Sequence, residues 1–368
     1  MNRSPILILT VLIVGAFLVL ATAVSTPAET PEDFEKRVMP QVVEDAPEPP
    51  QLTDAQLALQ DDLRAIGEGF EGAAGIAVTK AGDLVTMSYQ GETPFPQQSV
   101  SKLWVAMTAL DLADEDALSL DEMVTIREQD LTVFYQPIRD IVKRRGAFTS
   151  DYRDLLDRAI TQSDNTANDR LLRRIGGPQA VEGFLRRNRI EGVQFGTDER
   201  NKQSAIAGLE WRQAYSTGNA FYEARDRVPE DERRQAFNSY LSDPIDGATA
   251  EGIAVALARL ARGDLLSPAS TELLLATLEE TRSGPKRLKG GVPDGWSFGH
   301  KTGTGQYFDG VQSGYNDVGI LTAPDGTVYT IAVLIGRTTT SYAARFEMMQ
   351  SVTRAVVGYH EGLDAAVA

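Results

Sequence analysis

Apolar and polar positions divide this chain into an apolar opening, a polar gap and a long patterned remainder. Residues 5–24 form an uncharged apolar run, after which residues 25–50 turn to Pro, Glu and Asp, with too little apolar surface to fold alone. That second stretch reads as a tether. From Thr53 onward, Leu57, Leu63 and Ile66 recur at helical spacing, with Thr53 as the N-cap and an end near Gly67. Residues 74–80 and 84–89 then read as strands joined by the turn Ala81-Gly82-Asp83, a hairpin.

Helical patterns dominate from about residue 99 to 278, including 105–112, 152–160, 167–175 and 252–260. Strand patterns return at 295–301, 318–322 and 329–335, with Pro324-Asp325-Gly326 turning the last two, and a closing helix runs over about 341–359. Strands at both ends with helices between predict an antiparallel sheet built from both termini, flanked by helices, with an inserted helical domain. On this reading the α/β part spans about 51–95 and 290–365 and the helical part about 96–289, together a catalytic region of 51–365.

Composition narrows the chemistry. The 368 residues carry a formal net charge of -16, which argues against nucleic acid, because neutralising phosphates requires a basic face. There is no cysteine, so disulfides, thiolate metal sites and a cysteine nucleophile are excluded. With only His300 and His360, a histidine-rich zinc site is excluded too, since catalytic zinc takes about three protein ligands. Neither metal nor cofactor is expected. Asn2 and Arg3 ahead of the apolar run, and Ala21-Thr22-Ala23 near its end, read as an export signal over residues 1–24. The run also approaches the ~20 apolar residues that span a bilayer, so a cleaved leader and a retained membrane anchor both stand, with cleavage favoured.

Three short motifs carry the candidate chemistry. In Ser99-Val-Ser-Lys102 the lysine follows the serine by three residues, so a helix beginning near Ser99 sets the two side chains on neighbouring turns of one face. Serine is a poor nucleophile until a neighbouring base takes its proton, and a helix start also offers backbone N–H groups to developing negative charge. The apolar Leu103 to Met107 would bury that helix and desolvate Lys102, lowering its pKa. Alone the spacing is weak, because Ser283-Gly-Pro-Lys286 satisfies it as well. Ser163-Asp164-Asn165 lies between two helical patterns, where helix capping alone explains all three residue types. Lys301-Thr302-Gly303 ends a predicted strand, where a lysine can meet an anionic substrate and Gly303 permits close backbone approach.

In order, separation and setting, the three motifs together resemble the signature of the class A β-lactamases, within the wider family of penicillin-recognising serine enzymes. Ile175-Gly-Gly-Pro178, Asp243 to Thr249, Arg262 to Leu266, Gly295-Trp296 and Tyr315 to Val318 are similar to that family as well. The resemblance implies a β-lactamase-like fold and a serine hydrolase that opens β-lactams through an acyl-enzyme on Ser99. It makes Lys102 a proton acceptor and Ser163 a relay toward the leaving nitrogen. Lys301 would steer the substrate carboxylate, with Thr302 beside it, while backbone N–H groups of Ser99 and Thr304 would form an oxyanion hole. Asn165 would bond the substrate's side-chain amide, and Tyr135 would supply an aromatic wall, although an ordinary half-buried loop tyrosine reads equally well. His300 reads as a strand residue. With the N-terminal run, the expectation is an exported, periplasmic protein, soluble or tethered to the membrane through residues 5–24, a monomer acting on a small β-lactam substrate.

Two departures bear on turnover. Counting forward from Asn165 without gaps, the family's water-activating glutamate falls on Glu199, but the surrounding Glu-x-x-Leu-Asn is replaced by Asp198-Glu-Arg-Asn-Lys-Gln203. Asn201 is close but misplaced, and Glu210 competes if the loop is rebuilt. The chain is also longer than ordinary class A sequences between about 200 and 243, a charged stretch that reads as a solvated helical excursion whose Tyr215, Phe221 and Tyr222 could line a substrate entrance. A carboxylate-binding arginine is sought in Arg337 or Arg345. Two further readings therefore stay open: a penicillin-binding peptidase or esterase-like relative that shares the nucleophile, and an exported binding domain without turnover.

Overall fold

A computed structural model describes residues 52–367. The expected leader and tether lie outside the described residues. Five strands form the main run of a seven-stranded sheet: β1 (Gly72–Lys80), β2 (Thr86–Tyr89), β3 (Ser297–Thr304), β4 (Tyr315–Thr322) and β5 (Val328–Thr338), in the order β2-β1-β5-β4-β3 and antiparallel throughout; the short strands Tyr307–Phe308 and Val311–Gln312 join it beside β5. The N-terminal hairpin thus joins the C-terminal strands through the β1–β5 pairing, with Ile76 opposite Val333.

Alternation along these strands feeds two cores, one on each face. On one face Ile76, Val78, Ile331 and Val333 pack with Leu59 and Leu63 of the helix Asp54–Glu68 and with Met349, Val352 and Val356 of the helix Tyr342–Val367. The first of these helices starts where the sequence predicts, with Thr53 and Gln56 forming a reciprocal capping box. On the other face Ala77, Val318, Ala332 and Leu334 meet the helical part, whose buried centre is Lys102–Asp114. That helix is buried from Lys102 to Leu110 on every side, the pattern of a core helix. Among the described residues no helix is long and apolar enough to cross a membrane.

Three elements depart from the sequence pattern. β4 begins at Tyr315, three residues before the apolar run, because Asn316 and Asp317 are buried polar residues with internal partners; the Asn316 amide donates to Pro96 O at 2.7 Å and Gln97 O at 3.0 Å. β3 extends to Thr304, so Lys301 and Gly303 sit within the strand. The helix expected over 152–160 is α-helical only in Tyr152–Asp157 and widens into a π-type turn over Arg158–Gln162. π-Turns cluster at functional sites, and this one ends on Ser163 in the left-handed region at φ 59°.

The long stretch after Glu199 folds as the helices Glu199–Ile206, Ala220–Asp226 and Glu230–Ser242, helical as expected. Phe221 does not line an entrance: it is buried with Val133 and Ala207, and Tyr215 packs against the same cluster. Only Tyr222 of that trio stays exposed, beside a small cavity that it shares with Phe134, Gln203, Thr304 and Tyr307.

Candidate active site

The serine motif sits where the strand-like pair Phe95–Pro96 meets Gly247–Ala248 and the chain then turns into a 3-10 segment, Gln98–Ser101, before the α-helix begins at Lys102. Gln98 holds a left-handed backbone at φ 54°, uncommon for a non-glycine residue. Its surroundings fix it there. Its N–H donates to Asp246 Oδ2 at 2.9 Å, and its side-chain amide donates to Tyr240 OH at 2.7 Å and Ser313 O at 3.1 Å.

One turn later Lys102 Nζ lies 2.8 Å from Ser99 Oγ and 3.2 Å from Glu199 Oε1. Ser99 is half-buried, whereas Lys102 has no exposed surface and Glu199 almost none. The helix Glu199–Ile206, capped by Asp198, delivers Glu199 beneath the serine. Glu210 is exposed and outside the cavity, so of the two glutamates only Glu199 reaches the serine–lysine pair.

The second motif stands opposite. Asp164 caps the helix Asn165–Arg174 by accepting from Thr166 and Ala167, and its other oxygen accepts the Ile138 N–H at 2.8 Å. These bonds carry the capping role and leave the flanking residues for the cavity. Asn165 donates its side-chain amide to Val133 O at 2.9 Å. Ser163 Oγ lies 3.0 Å from Lys301 Nζ, which β3 carries in from the far side. Gly303 is required by close packing there: a Cβ would stand 2.4 Å from Gln97 O, a backbone atom. Gly303→Ala is expected to force β3 away from the turn that carries Ser99, costing about 1–3 kcal/mol by overpacking, read as a lower thermal midpoint.

A cavity of ≈ 420 Å³ collects these groups; Ser99, Tyr135, Ser163, Asn165, Glu199 and Thr302 line it with Thr304. Lys102 and Lys301 are buried just behind the lining, each reached through its serine. Tyr135 is 61% exposed at the rim, and the aromatic side chain set deeper is its neighbour Phe134. His300 is a buried strand residue paired with Asp317 at 2.8 Å.

Neither arginine expected to bind a carboxylate belongs here. Arg345 is buried elsewhere, bonded to Thr340 O at 2.6 Å and Tyr307 OH at 3.0 Å, and Arg337 is exposed along a separate groove. Besides the exposed Arg282, the arginine that lines the cavity is the buried Arg287. It lies over the Tyr315 ring at 3.8 Å and donates to Thr304 Oγ1 at 2.6 Å and Gly303 O at 2.9 Å. No spacing in the sequence points to it, since it reaches β3 from the segment preceding that strand. Gln203 and Lys202 were legible in principle, because Asp198 is a good cap and positions three and four residues beyond Glu199 then share its helical face.

Charge in this region is tightly balanced. Burial lowers the Lys102 pKa; Glu199 opposes that shift, and the Lys202 ammonium adds to it. Burial by itself would raise Glu199, but the ammonium groups of Lys102 and Lys202 outweigh it and hold the carboxyl far below the usual carboxylate range. Lys301 is pushed well down by burial and by the charges of Lys102 and Arg287. Asp169, which accepts the Glu199 N–H at 3.2 Å, is raised from 3.8 to about 7 by burial and by Asp198 and Glu199. A carboxyl whose folded pKa is raised costs stability as pH climbs from its unfolded value through the folded one. Asp169→Asn is therefore expected to raise the thermal midpoint by several degrees at about pH 8 and by little at about pH 4. Melting curves at the two pH values check it.

The arrangement offers a serine with an adjacent lysine, a carboxylate one step behind, and a wall of hydrogen-bond donors, Lys301 and Arg287, beside Thr302 and Thr304. This suits acyl transfer to Ser99 from a substrate carrying an anionic group. Among the described residues no group of three or more His, Asp or Glu could hold a metal ion.

A sequence model of the beta-lactamase enzyme family matches residues 58–360. The extended-spectrum beta-lactamase PER-1 of Pseudomonas aeruginosa is 30% identical over 278 residues, 75% of this chain and 79% of the relative. Beta-lactamase VEB-1 of Pseudomonas aeruginosa is 25% identical over 287 residues, 78% of this chain and 85% of the relative. A crystal structure of a beta-lactamase from Chitinophaga pinensis superposes with a TM-score of 0.66 at 27% identity, covering 81% of this chain and 98% of its own.

Proposed function

The chain belongs to the beta-lactamase enzyme family, and from that premise we propose how its residues divide the work of a class A serine β-lactamase. The observation that carries the assignment is the contact line from Ser99 Oγ to Lys102 Nζ at 2.8 Å and on to Glu199 Oε1 at 3.2 Å. In acylation Ser99 Oγ bonds to the lactam carbonyl carbon while its proton passes to Lys102 Nζ. Backbone N–H groups of Ser99 and Thr304 receive the oxyanion, where one such donor contributes about 3 kcal/mol. The C–N bond then breaks as the nitrogen takes a proton from Ser163 Oγ, which lies 3.0 Å from Lys301 Nζ, and Ser163 regains a proton from the Lys102 ammonium, leaving both as they began. In deacylation Glu199 takes a proton from water as the water oxygen attacks the ester carbon, and the carbon–Oγ bond breaks as that proton returns through Lys102 to Ser99 Oγ, restoring the serine hydroxyl and the carboxylate.

Arg287, Lys301, Thr302 and Thr304 hold the substrate carboxylate, and Asn165 bonds the side-chain amide. Because a hydrogen bond to a charged group contributes about 1.5–3 kcal/mol, Arg287→Ala should lower kcat/KM by roughly 10- to 150-fold. The loss should fall mainly on KM, and should be small for a substrate whose carboxylate is esterified. Steady-state kinetics on the paired substrates read this directly. Phe134 and Tyr222 flank the path along which a substrate side chain leaves the cavity.

The enzyme acts outside the cytoplasm as a periplasmic monomer, with residues 5–24 serving as export signal or anchor. The charged, apolar and Pro-rich order of the first 50 residues supports that reading. Time-resolved mass spectrometry of the protein mixed with a penicillin and a cephalosporin tests the whole scheme. A transient adduct on Ser99 followed by hydrolysed product is expected; an adduct that persists would move the chain to the penicillin-binding peptidases, and no adduct would refute the scheme.

A further inference from the structure

Lys202 stands where the family's Glu-x-x-Leu-Asn pattern carries leucine. Its side chain is 1% exposed and its ammonium is held by two carboxylates, Glu199 Oε1 at 3.1 Å and Asp246 Oδ2 at 3.1 Å, and by Gln98 O at 3.3 Å. Glu199 Oε1 thus has two lysines, Lys102 and Lys202, while Oε2 accepts from Gln203 Nε2 at 3.2 Å. Asp246 closes the array by accepting the Gln98 N–H and the Tyr240 hydroxyl, both at 2.9 Å. A desolvated cation that is not needed for packing is costly unless it is fully paired, so a lysine here calls for a charge-based reason.

We infer that Lys202 is a positioning residue: a second buried ammonium that keeps the Glu199 carboxylate paired, so that Lys102 is released to accept the Ser99 proton. The inference rests on the proposed acylation of Ser99. With one lysine and one carboxylate, removing the Lys102 proton would strand a buried anion. With Lys202 in place, Glu199 retains a cation 3.1 Å away throughout the cycle. The proton then moves only from Ser99 Oγ to Lys102 Nζ, and Lys202 stays an ammonium between Glu199 and Asp246.

The surrounding charges agree with this division. Lys102 faces Glu199 and Lys202, with Asp169 from the helix Asn165–Arg174 and Lys301 from β3 nearby. Glu199 also neighbours Asp169 and Tyr240, and Asp198 and Arg200 flank it on its own segment, both acting on Asp169. Burial lowers Lys202, but Glu199 and Asp246 more than restore it and hold it above an ordinary lysine, whereas Lys102 is lowered. Lys202 is therefore the lysine that stays charged.

The test compares wild type with Lys202→Met and with the double variant Lys202→Met/Asp246→Asn, which leaves no buried carboxylate stranded. Protein labelled with 13C at lysine Cε reports the Lys102 titration without any substrate. Its midpoint should rise by about one pH unit or more in both variants. Burst kinetics with a penicillin should show the acid limb of acylation moving up equally, about tenfold slower below the limb and unchanged on the plateau. The acid limb of deacylation should move up as well, since Glu199 loses a cation. An unmoved Lys102 midpoint, with both rates falling evenly at every pH, would reduce Lys202 to a packing residue and overturn the inference. If the single variant does not fold, the double variant decides by the same midpoint. A wild type that forms no Ser99 adduct refutes the function instead, while the Lys102 titration still settles the pairing.

Discussion

Ser99→Ala removes the acyl-enzyme and, with it, turnover of both penicillins and cephalosporins. The loss is expected on the order of 10⁴-fold or more, because the nucleophile and its activating lysine act as a unit and what remains is binding alone. The fold should tolerate the change. Ser99 is half-buried, its Oγ bonds Lys102 Nζ at 2.8 Å, and alanine fits the 3-10 segment Gln98–Ser101. Intact-protein mass spectrometry should show no penicillin adduct, and the unfolding free energy should change by about 1 kcal/mol or less. An adduct of undiminished rate in this variant would relocate the nucleophile.

Glu199→Gln separates the two halves of the reaction. Glutamine keeps the volume and a hydrogen-bonding oxygen beside Lys102 and Lys202, yet it cannot take a proton from water. Deacylation should fall by about 10²- to 10⁴-fold, the usual contribution of a positioned general base. Acylation should persist, because the Lys102 contact to Ser99 at 2.8 Å does not pass through the carboxylate. The expected record is a stoichiometric burst followed by a near-flat line, with the adduct mass on Ser99 surviving for minutes or longer. The same variant exchanged at Glu210 should behave as wild type, since that side chain is exposed outside the cavity.

How much of this was readable beforehand differs from residue to residue. Thr53 announced a helix start because capping is local chemistry, and the strands of both termini announced themselves by runs of β-branched residues that helices cover on both faces. Ser99 and Lys102 were legible because three residues of helix place them together whatever the rest of the chain does. The start of β4 was hidden by Asn316 and Asp317, which look like turn residues until their buried partners are in view. The π-type turn before Ser163 and the left-handed backbone of Gln98 were hidden for a related reason, since their stabilising bonds come from elsewhere in the chain.

By itself the sequence determined the strands at both ends, the helical middle and the serine–lysine pair, which rest on local periodicity and spacing, and the family resemblance, which rests on the order and separation of three short motifs. Tertiary structure decided which glutamate meets Lys102, which arginine stands at the cationic end, and that a second lysine shares the Glu199 oxygen. Arg287 replaced Arg337 and Arg345, and Phe221 left the presumed entrance for a small core, because burial and charge pairing depend on groups brought together by folding. The reason is range. Periodicity and capping act over neighbouring residues, whereas the Lys102–Glu199–Lys202–Asp246 array exists only after chain segments far apart in sequence have excluded water between them.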